Sequence, residues 1–542
     1  MLKQVAAVAA ALFALAGAAR SEEMGYQRLL SLYAEFRAVA QDPTADDVGD
    51  YRPPAMEARR AEATRLLKAL QRIDDAGWPV SQRVDYMIVL AEMRGLEFHH
   101  RVLRPWARDP SFYSVLTLGF GPKSIDSVPY PERFPIRDDA ERARFKAGLA
   151  RTPLALERAR EALVDIRGDL LALGLAQKDI ELKVFDRILV ELERHHPDIA
   201  PDAAAARAAT AEFRDWLAAK EGRVPMSAGV GREEFDWYLR HVLLFPYTLD
   251  EMRELGEREY ARSLAFLKIE ENEHKAIPMP EPVASLEAFE ALRAEADREL
   301  LEFLRDRNIM TVPDWLVPPR GEGPYLMPVD RDPDRADPFR PPVKRNFFRE
   351  TEDRDPRPLR AHNLPGHLLD QEMRARDQRP IRGDPRLYFI DSSRVEGWAF
   401  YLEEMLAQAG FLDARPKARE IHYILQVKRA ARIAPELLMH ANEQSFAEAL
   451  AALTTRTPYW MEADDDTAVY DLGLYLRQPG LGVNYYFGKL QIEQLLAERA
   501  RELGDGFDLK AFHDEFLAAG VIPVALIRWE MTGRDDQIEK MR

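Results

Sequence analysis

From about Tyr26 to Leu300, apolar residues recur three and four positions apart, with Arg and Glu between them. That spacing predicts amphipathic helices, each burying one face. Leu66, Leu67, Leu70 and Ile73 make one apolar stripe, and Leu156, Leu163, Ile166 and Leu170 make another within a single segment. Their opposite faces are charged, which predicts antiparallel helices packed around a shared core. Breaks are local, at Asp42-Pro43, from Pro129 to Pro135 and from Pro197 to Pro201. Helical periodicity returns over His367 to Arg376, Val395 to Ala409 and Ala418 to Leu453.

Between these regions, residues 311–365 hold twelve prolines, several Arg-Asp pairs and little periodicity. Proline at that density stops helices, so the segment reads as a long functional or disordered connection. Tyr325-Leu326-Met327 and Asn346-Phe347-Phe348 are short apolar pieces that read as edge strands. There is no repeat at solenoid spacing and no clear linker. The expected fold class is all-α, a single helical domain over residues 20–542. Two lobes within it, about 20–310 and 366–542, would be joined by the Pro-rich segment.

Composition narrows the chemistry. Apolar residues make up 46% of the chain and charged residues 31%, the balance of a folded globular protein. A net charge of −16 with no sustained basic stripe argues against nucleic acid as a partner. Cysteine is absent, which removes disulfides, thiolate nucleophiles and Cys-ligated metals, so any metal must be held by His, Asp or Glu. Lys3 precedes an apolar stretch from Val5 to Ala19, with small residues at Ala14, Ala16 and Ala18. This reads as a signal peptide over residues 1–19 and a periplasmic or secreted protein. The stretch is shorter than the ~20 residues of a bilayer span, so no membrane span is expected in the mature chain. With no Cys at the cleavage site, lipid attachment there is not expected.

Common catalytic signatures are missing: there is no G-x-S-x-G, P-loop, G-x-G-x-x-G or H-E-x-x-H. The Arg-Gly-Asp tripeptides at Arg167 and Arg382 read as chance, and Asp464-Asp465-Asp466 as a solvated loop without calcium-loop spacing. The informative stretch is Leu359-Arg360-Ala361-His362-Asn363-Leu364-Pro365-Gly366-His367-Leu368-Leu369-Asp370. Two histidines five apart diverge by about 140° on a regular helix. A bulged turn at Pro365-Gly366 would bring both imidazoles to one side. Downstream, Val395-Glu396-Gly397-Trp398-Ala399-Phe400-Tyr401-Leu402-Glu403-Glu404 is helical in pattern, with Glu396 and Glu403 on one face. His362, His367 and Glu396 would make a three-ligand site with an open position, the arrangement of hydrolytic zinc. The plainer reading makes the two histidines polar groups beside a turn and Glu396 a buried acid paired with an arginine.

These segments resemble the bacterial proteins grouped as domain of unknown function 885. Those look like α-helical members of the zincin metallopeptidase clan, with HExxPGHH, EGWAxYxE, PGQAxxYxxG and FHDxxLxxGxxP motifs. This chain has Pro365-Gly366-His367, then Glu396-Gly397-Trp398-Ala399-Phe400-Tyr401-Leu402-Glu403. Gln478-Pro479-Gly480-Leu481 follows, with Tyr485 and Gly488 in register, and then Phe512-His513-Asp514 with Leu517, Gly520 and Pro523. Phe235 to Arg240 and Leu255 to Glu259 are also similar. The resemblance implies zinc as cofactor, a peptide or small amide as substrate, and Tyr485 or His513 as a donor to the oxyanion.

The departure falls at the first motif. His362-Asn363-Leu364-Pro365-Gly366-His367 is one residue shorter than the family's His-Glu-x-x-Pro-Gly-His, with Asn in the Glu position. Aligned without a gap, Ala361 stands at the first His and His362 at the Glu. Either way the expected general base is missing, and asparagine cannot accept a proton. Leu481 also stands where the family has Gln. Glu403, Glu404, Asp370 and Glu372 are the carboxylates that could stand in, with spacing alone not choosing among them. Three functions stay open: an exported zinc hydrolase of peptide or related amide bonds, a catalytically inactive binding protein on the same scaffold, and a metal-free or differently metallated hydrolase of a non-peptide amide. Edge strands of the Pro-rich segment would let the first take an extended peptide by strand addition.

Overall fold

Helices account for nearly all the regular structure of the computed structural model, which describes residues 24–118, 121–131, 134–321, 339, 345–463 and 465–542. The apolar N-terminal stretch read as a targeting signal and Tyr325-Leu326-Met327 lie outside the described residues. The first three helices are α1 (24–39), α2 (Pro53–Leu70) and α3 (Val80–Phe98). A middle group follows: α4 (Asp139–Ala162), α5 (Gly168–His195), α6 (Ala200–Ala218), α7 (Arg232–His241), α8 (Leu249–Glu273) and α9 (Leu286–Asp306). Beyond the Pro-rich segment come α10 (Phe347–Glu352), α11 (Arg357–His362), α12 (Leu369–Arg376), α13 (Ser392–Gln408) and α14 (Pro416–Ala431). The chain continues through α15 (Ile433–His440), α16 (Phe446–Arg456), α17 (Asp466–Arg477), α18 (Leu481–Leu503), α19 (Leu509–Ala518) and α20 (Val524–Thr532).

Local chemistry sets many of the boundaries. Thr248 and Glu251 form a capping box at the start of α8, and Ser445 and Glu448 form another at α16. Asp465, from the acidic run, accepts from the amides of Thr467 and Ala468 and so caps α17. Two sequence expectations are corrected. Asn346-Phe347-Phe348 is the start of a helix, because the Asn346 side chain accepts from the Arg349 amide as an N-cap. The stripe from Leu156 to Leu170 spans a break between α4 and α5, although all four residues are buried. The strands described are two-residue pairs, Thr44–Ala45 with Val48–Gly49 and Leu116–Thr117 with Val128–Pro129, and both pack against α4.

The largest hydrophobic cluster joins Leu29 to Leu103 with Phe235 to Leu316 and with Ala361 to Met541, so it takes residues from both sides of the Pro-rich segment. A second cluster is built from Tyr51 to Leu217 and centred on α4, α5 and α6. A third unites α14, α16 and α17 with Leu170, Leu267, Phe347 and Leu359. No helix among the described residues is long and apolar enough to cross a membrane.

The packing that matters most for function is between α13 and α18. Gly397 and Gly488 face each other there: a Cβ on Gly488 would lie 2.7 Å from the Gly397 Cα and 2.9 Å from the Ser393 carbonyl carbon. Only glycine lets the two backbones approach this closely. The turn before α12 approaches α13 in the same way, since a Cβ on Gly366 would be 2.8 Å from the Ala399 Cβ. The Trp398 indole locks that contact by donating to the Pro365 carbonyl oxygen at 3.0 Å.

Candidate metal centre

Between α11 and α12 the chain makes a π-helical turn over Asn363–Leu368. In such a turn the hydrogen bond runs from i to i+5, so residues five apart fall nearly in line, as they do not in an α-helix. His362 and His367 are five apart, and their rings lie 4.5 Å from centroid to centroid, inclined at 84°. Glu396 reaches them from the second turn of α13: its Oε2 is 3.8 Å from His362 Nε2 and 3.6 Å from His367 Nε2. Donors at a tetrahedral zinc, with bonds of about 2.0–2.1 Å, sit roughly 3.4 Å apart, close to this spacing. The separations are too long for hydrogen bonds. The Glu396 Oε2 is buried and has no hydrogen-bond partner. A buried carboxylate oxygen left unpaired beside two imidazole nitrogens fits a divalent cation, and His362, His367 and Glu396 are the residues that would hold it. The His367 side chain is one-third exposed, which leaves the group an open side.

Glu403 lies on the same face of α13 as Glu396, two turns on, and is fully buried. Its Oε1 is 2.7 Å from His362 Nδ1, although the carboxylate is off the N–H axis, so the contact is close but bent. Arg429 of α14 pairs with the same carboxylate at 2.8 Å. Burial raises the Glu403 pKa and Arg429 counters it. Burial also holds His362 well below its ordinary pKa, helped by His367 and Arg429, so the ring is neutral. The Nδ1 edge of the neutral ring packs against Glu403 without a formed hydrogen bond, and that placement leaves Nε2 facing Glu396 and His367.

The other carboxylates considered as a base are engaged elsewhere. Glu404 is held by Arg262 and Lys489, which outweigh burial and bring its pKa to about 2. Asp370 forms a two-pronged pair with Arg394 at 2.7 and 2.8 Å, tying α12 to α13. Glu372 pairs with Arg376 on the surface. Glu403 itself is spent on His362 and Arg429.

Tyr485, at the start of the second turn of α18, is brought to the donor set. Its ring stacks on His362, with centroids 6.1 Å apart and planes 10° apart. Burial, reinforced by Glu396, raises its pKa well above the ordinary value, so the hydroxyl keeps its proton. His513 is not brought there. Its Nε2 meets the Tyr401 hydroxyl at 2.9 Å and its Nδ1 the Ile309 carbonyl at 2.8 Å, which occupies both nitrogens. His513 instead packs on Trp398, supporting the helix that carries Glu396. Sequence reasoning missed Arg429 and Arg432, which meet the site only through packing, and Arg394, two residues before Glu396 on α13, whose partner Asp370 shows only in the fold.

Among curated proteins, none matches the sequence. Two solved structures share the fold. A putative lipoprotein of unknown function from Shewanella oneidensis is 18% identical, with a TM-score of 0.65, 95% of this chain and 99% of that chain covered. A putative lipoprotein from Colwellia psychrerythraea is 15% identical, with a TM-score of 0.68 and 94% and 99% covered. The family described as bacterial protein of unknown function, DUF885, matches residues 33–306 and 361–531, well over half the sequence on either side of the Pro-rich segment, and the chain belongs to that family.

Proposed function

We propose that this protein is an exported, zinc-dependent hydrolase of peptide or related amide bonds in which turnover is slowed by the loss of the motif carboxylate. The observation that carries the reading is the unpaired Glu396 Oε2 lying 3.8 Å from His362 Nε2 and 3.6 Å from His367 Nε2, with all three donors within 4.8 Å of one another. Bound there, zinc would act as a Lewis acid and lower the pKa of a water at its open position. Glu403, packed against the Nδ1 edge of the His362 ring, leaves its Nε2 facing the site. The protonated Tyr485 hydroxyl is the donor available to an oxyanion forming on the substrate carbonyl. With Glu403, Glu404, Asp370 and Glu372 engaged, none is free to take the attacking water's proton. A positioned base contributes about 10²–10⁴-fold, so turnover should be that much slower and should rise with hydroxide concentration. Export rests on the apolar N-terminal stretch, and both structural neighbours carry the word lipoprotein in their names.

The engaged carboxylates also favour a second reading, a catalytically inactive protein that binds peptide or amide ligands on the same scaffold. Zinc-loaded protein incubated with a fluorogenic peptide library separates the two. The hydrolase reading expects slow cleavage that increases from pH 7 to 9 and is abolished in His367→Ala. Zinc binding without cleavage beyond the His367→Ala background assigns the protein to the binding class.

A further inference from the structure

The short helix α15 grips the start of α18 at two points. Glu436 of α15 is fully buried and accepts from the amides of Gly480 at 2.8 Å and Val483 at 2.7 Å. These are orphan donors at the beginning of α18, so the carboxylate holds the backbone turn that carries Tyr485. Gly480 in that turn has φ +87°, a conformation that favours glycine. One helical turn before Glu436, Arg432 lies with its guanidinium carbon 3.9 Å from the Tyr485 ring centroid. Its Nη1 is anchored by the Tyr475 hydroxyl at 2.5 Å and faces Asp471 at 3.5 Å. Arg432 is buried, and its Nε and Nη2 find no hydrogen-bond acceptor. The aromatic face of Tyr485 accounts for that: a planar cation over a ring is stabilised without an oxygen acceptor.

We propose that Arg432 and Glu436 are positioning residues for Tyr485, together fixing the phenol ring against His362 so that its hydroxyl is presented to the metal centre. The inference rests on the reading of Tyr485 as the oxyanion donor and adds the groups that place it. Glu436 sets where the helix begins and Arg432 sets the ring's angle. Neither touches the substrate. Arg432→Met should leave the fold intact, because Asp471 keeps Lys428 as its partner. Arg432→Lys keeps the charge but loses the planar stack.

Two measurements test the proposal. In metal-free protein labelled with 3-fluorotyrosine, the ¹⁹F line assigned to Tyr485 through Tyr485→Phe should be single and sharp. It should shift and broaden in Arg432→Met, with Arg432→Lys in between; an unchanged line in Arg432→Met overturns the proposal. In zinc-loaded protein, acetohydroxamate affinity should fall about five- to tenfold in Tyr485→Phe and in Arg432→Met. The double variant should be no weaker than either single one. Multiplicative losses would show that Arg432 acts independently of Tyr485 and would overturn the proposal. Zinc affinity, read by competition with a chromophoric chelator, should not fall in Arg432→Met, since the cation removed lies within electrostatic reach of His362 and Glu396. If the wild-type protein takes up no zinc, the metal reading fails, and the ¹⁹F line still decides whether Arg432 holds Tyr485.

Discussion

Replacing Gly488 with alanine tests whether close contact between α13 and α18 builds the site. The new Cβ would meet the Gly397 Cα at 2.7 Å and the Ser393 carbonyl carbon at 2.9 Å, and would overlap the Ser393 oxygen. Carbon atoms rest at about 3.5–4.0 Å, so the helices must part by roughly 1 Å. The obstacle is backbone on the α13 side, and no rotamer change relieves it. Overpacking of this kind costs up to about 3 kcal/mol, while alanine gains about 1 kcal/mol in helix propensity, leaving a net loss of about 2 kcal/mol. Urea unfolding should show that loss as a lower midpoint at unchanged slope. Because Glu396 sits beside Gly397 and Tyr485 one turn before Gly488, the same separation pulls Glu396 and Tyr485 apart. Acetohydroxamate affinity of the zinc-loaded protein should therefore fall by about five- to tenfold, while zinc affinity holds, because all three metal ligands lie on α13 and around the turn before α12. A Gly488→Ala protein as stable as wild type, with acetohydroxamate affinity intact, would refute the reasoning.

Other outcomes follow from the buried charges. Arg394→Met leaves the Asp370 carboxylate buried without its partner and should cost about 3–5 kcal/mol in urea unfolding, most of it regained in Asp370→Leu/Arg394→Met; a loss below ~1 kcal/mol would contradict the role given to the pair. Glu403→Gln should weaken zinc binding by about 10–100-fold, and a change under twofold would show that the contact with His362 Nδ1 does not orient the ring. His422, His440 and His513 are fully buried, and burial holds each at about 4. Their unfolded values lie near about 6.5, so between these limits the unfolded chain binds more protons. The stability these rings contribute is then complete above pH ~6.5 and declines as pH falls toward ~4, by about 1.4 kcal/mol per pH unit for each ring, while Glu92 and Glu436, raised by burial to about 7 and about 8, act in the opposite sense. The loss of thermal stability between pH 7 and 5 should be smaller in His440→Gln than in wild type, and an equal loss would contradict this.

Much of the helical fold was legible because apolar spacing reports burial directly. It reports continuity less well: Leu156, Leu163, Ile166 and Leu170 are all buried, yet α4 ends before Leu163 and α5 begins at Gly168. Both sides of that break stay in the core, so the stripe passes through it. Phe347-Phe348 reads as strand because a short apolar run carries no period of its own, and the Asn346 cap is the signal that makes it a helix start. At the site, Pro365-Gly366 marked a distorted turn, and the seven-residue spacing of Glu396 and Glu403 put both on one face. The division of labour between those two acids was not legible. It depends on Arg429, which arrives from α14 and occupies Glu403. His513 sat in a matching motif, but its two partners, Tyr401 and Ile309, are distant in sequence and known only from the fold.

The central claim is that His362, His367 and Glu396 hold one divalent metal ion. Anomalous diffraction at the zinc absorption edge, on crystals of wild-type and His367→Ala protein grown with zinc, tests it most directly. The account predicts a single strong peak among the two Nε2 atoms and the Glu396 Oε2 in wild type, and no peak there in His367→Ala. A wild-type map without density at that position, or a peak that persists in His367→Ala, would contradict it.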